Sequence, residues 1–522
     1  MSEVTGGRKA GLLIPLVSCP STTSWGVGDI GDLVPMAAWL AEAGQQLWQL
    51  LPLNEMAPGQ QSPYSALSAM AVDPLLICVP QVPEFVAAGG TASLSAVERE
   101  LLDASRRAPR IDYAHVRQLK SSALGAAFAR FYESEWSHDT ARARELKRFV
   151  SEQAWWVEDY ALFRALHAHY AERAWTEWPA ALQRREPADI DRARRELAHD
   201  VLFRQYLQWL AWSQWQAARQ EVAKLARPVA VLGDLPFMVD GDSADVWALQ
   251  HQFRLDATVG APPDAFSETG QDWGMPLYRW DVMAMEQFLW LRARARRNAD
   301  LYDGYRIDHL VGFYRTFAWP RDGSAPFFTP ADEPEQLALG EHVLSIFLQS
   351  GARILAEDLG VVPDFVRSSL AGFGVPGFCV FRWEREWDLD GQPFRDPSTY
   401  PPISVAASGT HDTETMAAWW EGATDEERRR VSELETIQRL TAGGPVTRDV
   451  LLEALFASAS ETVLLPVQDV FGWRDRINQP GTITGDNWTY RLPWPCDRLG
   501  EQPEARERQH VLHDWASRYG RL

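Results

Sequence analysis

Cysteine is scarce in this chain. Cys19, Cys78, Cys379 and Cys496 are the four among 522 residues, and they lie far apart without metal-ligand spacing. That excludes a disulfide framework and a thiolate-held metal, and it suggests free thiols in a reducing cytoplasm. Positive charge is also short. Lys and Arg number 51 against 71 Asp and Glu, which leaves a formal net charge of −20. Such a surface argues against a nucleic-acid or anionic-membrane partner and suits a neutral substrate. No apolar run approaches the roughly 18 residues of a membrane span. The N-terminal "GRKAGLLIPLVSCP" imitates a lipoprotein leader, with basic residues before an apolar run and Leu16-Val17-Ser18-Cys19 behind it. The run is short and Pro15 interrupts it, so export is not expected. Internal repeats, low-complexity tracts and Gly/Ser linkers are missing too.

Tryptophan is plentiful, at 24 residues. Most serve an aromatic core. Others suit flat, half-apolar ligands such as sugar rings, because an aromatic face offers a large contact area at small entropic cost. Six short apolar runs read as buried strands: 11–17, 45–53, 228–236, 303–310, 352–360 and 403–412. They do not alternate polar with apolar residues, so they suit a parallel sheet covered on both faces. Helical stretches such as "PEQLALGEHVLSIFLQSG" separate them, the α/β signature. From residue 96 to 225 the period is helical, with Leu197, Val201, Phe203, Tyr206, Leu207 and Leu210 at helix spacing. The organisation read from this is a first barrel segment over 1–74, a mostly helical insertion between the second and third strands over 75–225, and the rest of the barrel over 226–522. His167 and His169 form a His-x-His pair, but residues two apart do not share a helix face, so no metal site is expected.

Four of the runs end in an acid: Asp234 in "VLGDLP", Asp308 in "YRIDH", Glu357 in "ILAEDLG" and Asp412 in "SGTHD". Singly, such a residue is more often a helix cap or a surface charge. Their successive separations of 74, 49 and 55 residues fit one or two (β/α) units each in a (β/α)8 TIM barrel, where strand ends converge on one mouth. Several carboxylates with an arginine, a histidine beside an aspartate and many aromatics suit glycosidic bond cleavage. One carboxylate attacks the anomeric carbon or steadies an oxocarbenium ion, and a second, kept protonated, delivers a proton to the leaving oxygen. Repulsion between close carboxylates raises the pKa of one of them. Arg306 favours an ionised Asp308 and leaves Glu357 as the proton carrier.

At this point the sequence resembles a known family, the 4-α-glucanotransferases (amylomaltases or disproportionating enzymes) of the α-amylase clan. The matching stretches run almost end to end: "SWGVGDIGDL", "AGQQLWQLLPLNE", "SPYSALSAMAVDPLLI", "GDLPFMVDGDSADVW", "GAPPDAFSETGQDWGMPLYRWDVM", "YRIDHLVGF", "AEDLGVV", "GTHDTET" and "NQPGTITGDNW". The resemblance implies a (β/α)8 barrel, a helical elaboration after the second strand, no cofactor, and maltooligosaccharides and α-1,4-glucans as partners. It makes Asp308 the nucleophile, Glu357 the general acid/base and Asp412 the residue that holds sugar hydroxyls in the transition state. It places Arg306, His411 and Asp234 around the sugar at the cleavage point, with Tyr64 stacked on that ring. Trp273 lines the groove, Asn478 adds a polar contact, and His309 touches the sugar or a residue that does. The chain departs from the family's "RIDHFRGF" at Leu310 and Val311. It also has Ala265 where an aromatic usually stands, and a shorter segment between Trp247 and Gly260. A glucan hydrolase on the same scaffold, a catalytically silent glucan-binding protein and a metal-dependent barrel hydrolase are the competing readings.

Overall fold

The computed structural model describes residues 7–263, 270–482 and 484–522. Twelve strands occur among them: β1 (Lys9–Leu13), β2 (Leu47–Gln49), β3 (Ala230–Leu235), β4 (Phe253–Ala261), β5 (Gln271–Tyr278), β6 (Gly304–Ile307), β7 (Thr316–Pro320), β8 (Phe327–Thr329), β9 (Arg353–Ala356), β10 (Gly377–Val380), β11 (Ser404–Ala407) and β12 (Thr462–Pro466). Eight of these close into a parallel barrel in the order β1-β12-β11-β10-β9-β6-β3-β2. The other four, β5-β4-β7-β8, form an antiparallel side sheet. It is carried by the connections on either side of β6.

The barrel strands are short and buried on both faces; every residue of β2, β6, β11 and β12 is buried. One face packs the interior, where Leu47, Leu232, Leu355, Phe378, Val405 and Leu464 form a closed apolar plug. The other face packs on surrounding helices, including Leu33–Glu42, Leu289–Leu301, Glu333–Leu348 and Asp364–Phe373. A parallel strand pair needs such a crossover, which explains the uninterrupted apolar runs.

Helices occupy most of the chain between β2 and β3. The longer ones are Ala96–Arg107, Tyr113–Ser134, Ala141–Glu152, Ala154–His169, Pro187–Glu196 and Ala198–Ala223. Their starts are chemically marked. Ser95 and Glu98 make a reciprocal capping box, and the Asp112 and Thr140 side chains each accept a main-chain N–H of the first turn. On Ala198–Ala223, Tyr206 and Trp209 meet Phe131 of Tyr113–Ser134 at ring separations of 4.9 and 5.8 Å. Farther along, the buried Trp215 donates its indole N–H to the Leu301 carbonyl at 2.8 Å, which ties the helical region to the barrel. Trp25, Trp48, Trp215 and Trp247 are among the largest fully buried side chains, so tryptophan here is foremost a core residue. His167 is bonded to Glu172 and Asp242. The four cysteines are free and buried. Among the described residues, no helix is long and apolar enough to cross a membrane.

Two expectations about strands need correction. The run 403–412 is strand only over Ser404–Ala407, so Asp412 lies in the following loop and not at a strand end. Two barrel strands, β10 and β12, fall outside the six runs. β12 runs directly into the helix Val467–Phe471, so its apolar residues merge with helical ones.

Candidate active site

Parallel register explains how the charged residues meet. Asp234 of β3 is the Cα partner of Arg306 on β6. Arg306 in turn pairs with Leu355 of β9, and Ile307 with Ala356. Side chains two apart on a strand share a face. Asp234 therefore stands one step above Leu232, Asp308 one step above Arg306 and Glu357 one step above Leu355. Each lies just above the apolar plug, at the C-terminal ends of three consecutive strands. The main chain continues this order beyond the strands: the Asp308 N–H donates to the Leu235 carbonyl and the Glu357 N–H to the Ile307 carbonyl.

Arg306 is buried and shared. Its Nε donates to both Asp234 oxygens at 3.0 and 3.1 Å. Its Nη2 donates to Asp234 Oδ2 at 2.8 Å, to Asp308 Oδ1 at 2.8 Å and to the Tyr64 hydroxyl at 3.0 Å. The Tyr64 hydroxyl donates to Asp234 Oδ2 at 2.7 Å. Burial, reinforced by the Asp234 charge, pushes the Tyr64 phenol well up and keeps it neutral. The Asp308 side chain keeps 31% exposure while Asp234 has none. Asp234 thus anchors the cation, and Asp308 is presented to the mouth.

Among the described residues, Glu357 is held by main-chain donors. Its Oε2 accepts the His309 N–H at 2.8 Å, and its Oε1 accepts the Leu359 N–H at 2.9 Å. Burial, with the Asp308 charge adding to it, pushes its carboxyl up to about 7. His309 reaches Glu357 because it adopts a left-handed conformation, φ 45° and ψ 52°. Its ring packs edge-on to Trp273 at 4.8 Å and against Phe237 at 5.8 Å. Burial pushes that imidazole down to about 4, so it is neutral at pH 7. Gly312 makes room for this packing, since a Cβ there would meet the Phe237 ring at 2.5 Å.

The fourth charged group arrives from the loop after β11. Asp412 Oδ1 accepts from Asn478 Nδ2 at 2.6 Å, and its Oδ2 lies 3.3 Å from His411 Nε2. Burial disfavours the Asp412 charge, but His411 and Asn478 outweigh it and hold the carboxyl well below the usual range. Reciprocally, Asp412 raises the His411 imidazole against the opposing effect of burial. Tyr64 stacks on His411 at 5.3 Å with 20° between the rings, which joins this group to the Arg306 cluster. All ten residues singled out in the sequence thus lie around one mouth, linked by bonds or ring contacts. Ala265 and Phe266, in the same sequence stretch as Trp273, lie outside the described residues.

Three further residues shape the site. Trp488 closes the aromatic wall, 5.7 Å from both Tyr64 and His411. Its φ of 65° is unusual for a bulky residue, and its place at the end of "NQPGTITGDNW" was its sequence signal. Arg476 donates to the Asp412 carbonyl at 2.7 Å. Asp469 accepts from the Ser408 hydroxyl at 2.5 Å and the Met416 N–H at 2.6 Å. It thereby fastens both ends of the loop that carries His411 and Asp412. Nothing local in "PVQDVFG" marks Asp469, because its partners are about 50–60 residues away in sequence.

A closed parallel barrel with charged side chains gathered at its strand ends is an enzyme architecture. The chain belongs to the 4-alpha-glucanotransferase family, whose profile matches residues 14–497. It is 34% identical to the 4-alpha-glucanotransferase of Thermus thermophilus over 96% of this chain and 99% of that one. It is 31% identical to the chloroplastic/amyloplastic enzyme of Solanum tuberosum over 99% of this chain and 87% of that one. Amylomaltase from Streptococcus agalactiae, solved in complex with acarbose, superposes with a TM-score of 0.82 at 28% identity, covering 98% of this chain and 99% of its own. The protein is accordingly an enzyme of the glucanotransferase class that acts on glucans.

Proposed function

We propose that the enzyme moves α-1,4-glucan segments from a maltooligosaccharide or starch-like donor to the 4-hydroxyl of a glucose or maltodextrin acceptor, with retention of configuration. Asp308 attacks the anomeric carbon as the glycosidic C–O bond breaks, and Glu357 gives its proton to the departing oxygen. The products of this half-reaction are a glycosyl ester on Asp308 and a shortened glucan. Glu357, now a carboxylate, takes the proton of the acceptor hydroxyl as that oxygen attacks the same carbon and Asp308 leaves.

The observation that carries this reading is the unequal treatment of two neighbouring carboxyls. Asp308 receives a charged N–H from Arg306, whereas Glu357, bonded to main-chain N–H groups and felt by Arg306 only at a distance, is pushed up to about 7. One is prepared as nucleophile and the other as acid, the division of labour that glycosidic chemistry requires. Asp412, His411, Tyr64 and Trp488 supply a stacking face and hydroxyl partners for the sugar at the cleavage point. Trp273 lines the groove beyond His309.

The test is to catch the ester. Glu357→Gln should still be glycosylated by α-glucosyl fluoride, which needs no proton to leave, but should turn over slowly. Mass spectrometry of the digested protein should place the added sugar on the peptide that contains Asp308. Asp308→Asn should fold normally, show no adduct and lose roughly four orders of magnitude in rate, about 5 kcal/mol in the barrier. An adduct on another carboxylate would reassign the nucleophile.

A further inference from the structure

Beneath the segment that carries Tyr64 lies a second cavity of about 310 Å³, within the size range of small-molecule pockets. One wall is made by the ends of that segment, including Glu55, Gly59 and Asp73. The others come from the helices Tyr113–Ser134, Ala154–His169 and Ala198–Ala223, which bring Arg117, Lys120, Arg164 and Arg204 to the same space. Four cations and three acids, Glu55, Asp73 and Glu172, face one cavity, so the outcome depends on which charges are already satisfied.

The acids are satisfied internally. Glu55 accepts from Arg164 Nε at 3.0 Å and from the Tyr160 hydroxyl. Glu172 accepts from Arg164 Nη1 at 3.0 Å and His167 Nδ1 at 2.7 Å. Asp73 accepts the Leu75 and Met56 N–H groups at 2.8 and 3.1 Å. Arg164 is therefore used by two acids. Lys120 is also used, with its Nζ donating to Asp29 and to the Leu75 and Ile77 carbonyls at 2.7–2.9 Å. The remaining two cations are in a different position. Arg117 Nη2 comes no closer to Asp73 than 3.6 Å, and its Nε and Nη2 are buried without a hydrogen-bond partner among the described residues. Arg204 Nε is likewise buried without a partner. Burial, and after it the nearby Arg164, push the Arg204 guanidinium down from its usual value, and the charges of Glu55 and Glu172 offset this only in part.

We propose that this cavity binds a small phosphate-bearing anion, held between Arg117 and Arg204. A planar guanidinium presents paired N–H donors that match phosphate oxygens, and charge-assisted bonds of this kind are the strong ones. The anion accepts from guanidinium N–H groups that the acids of this wall, already bonded elsewhere, leave without a carboxylate bond. The site is separate from the catalytic carboxylates and does not depend on the roles assigned to them.

Isothermal titration of the whole enzyme with inorganic phosphate, glucose 1-phosphate and maltose separates the possibilities. Saturable binding of both phosphates identifies the phosphoryl group as the element recognised, and binding of glucose 1-phosphate alone identifies a sugar phosphate. Arg204→Gln and Arg117→Gln should each weaken that binding roughly tenfold to a hundredfold, in line with the loss of a charge-assisted bond. Maltose, a neutral ligand of the active site, should bind all variants equally. Without ligand, Arg204→Gln should melt at or above the parent temperature, because it removes a largely buried cation that makes no hydrogen bond to a carboxylate among the described residues. No phosphate binding up to ten millimolar, or binding that survives the double substitution, overturns the proposal. So does a marked loss of melting temperature in unliganded Arg204→Gln, which would make that arginine a structural tie.

Discussion

Arg306 divides one guanidinium between two aspartates of different exposure, and that division sets the chemistry available at Glu357. Asp234 takes both Nε and Nη2, so the cation is immobilised below the mouth, and only the remaining bond orients Asp308. Glu357 receives no comparable help and stays protonated to about pH 7. The rate of glycosyl transfer from natural donors should then fall as pH rises through about 7, by about tenfold per unit beyond it, because the acid must carry its proton when the bond breaks. A kcat/KM profile checks this, and the alkaline limb should disappear with α-glucosyl fluoride. The same shift has a consequence for stability. The folded value lies above that of an unfolded glutamate, about 4.3, so Glu357 favours the folded state at low pH, and that contribution is lost as pH rises from the unfolded value to the folded one. Glu357→Gln should therefore raise the melting temperature more at pH 8 than at pH 5. An increment equal at both pH values would show that the carboxyl is not raised.

Among the elements, the barrel strands and the loop after β11 differ in how the sequence reveals them. Arg-x-Asp on β6 was legible because strand geometry alone puts residues 306 and 308 on one face, and an acid following a buried run marks a strand end. The same reasoning misplaced Asp412 by treating 403–412 as one strand. Ser408 to Thr415 are instead a loop with a local turn between Thr410 and Thr413, placed by long-range bonds: Asp469 at both ends, Arg382 to the Ser408 carbonyl at 3.3 Å, and Asn478 and Arg476 at its tip. No local pattern encodes bonds of that range, so the loop's chemistry was visible but its construction was not. Likewise, "GFCV" and "TVLLP" form two of the eight barrel strands through pairing with neighbours far off in sequence. Asp469 offers a direct test of positioning. Asp469→Ala leaves a buried hydroxyl and a buried N–H unpaired, each costing about 1–3 kcal/mol. It should also reduce kcat by one to two orders of magnitude at a temperature where the variant is fully folded, since displacements near 1 Å at a site have effects of that size. Asp469→Asn keeps an acceptor oxygen and should recover most of the rate. A fall in melting temperature with kcat unchanged would limit Asp469 to a structural role.

For the molecule as a whole, the proposed mechanism makes the deciding competition one between water and a sugar hydroxyl for the glycosyl ester on Asp308. Water stands at about 55 M, so a transferase must give the acceptor a large advantage in effective concentration and keep water poorly placed until the acceptor arrives. We assign that role to the side sheet. Trp273 stands on β5, and β4 pairs with both β5 and β7. Its indole packs edge-on to His309, the residue next to Asp308. A rigid aromatic at that position offers an acceptor ring a stacking face and occupies space that water would otherwise fill. Maltotriose alone should then yield glucose and a ladder of longer maltodextrins, with little growth in total reducing ends. Trp273→Ala should raise the share of hydrolysis and weaken acceptor use, seen as a higher KM for glucose acceptor with donor cleavage largely retained. The hydrolase reading makes the opposite forecast for the unaltered protein: a steady rise in reducing ends and only shorter products. Quantifying reducing ends alongside chain-length distribution in one time course separates the two, because transfer conserves the number of glycosidic bonds and hydrolysis does not.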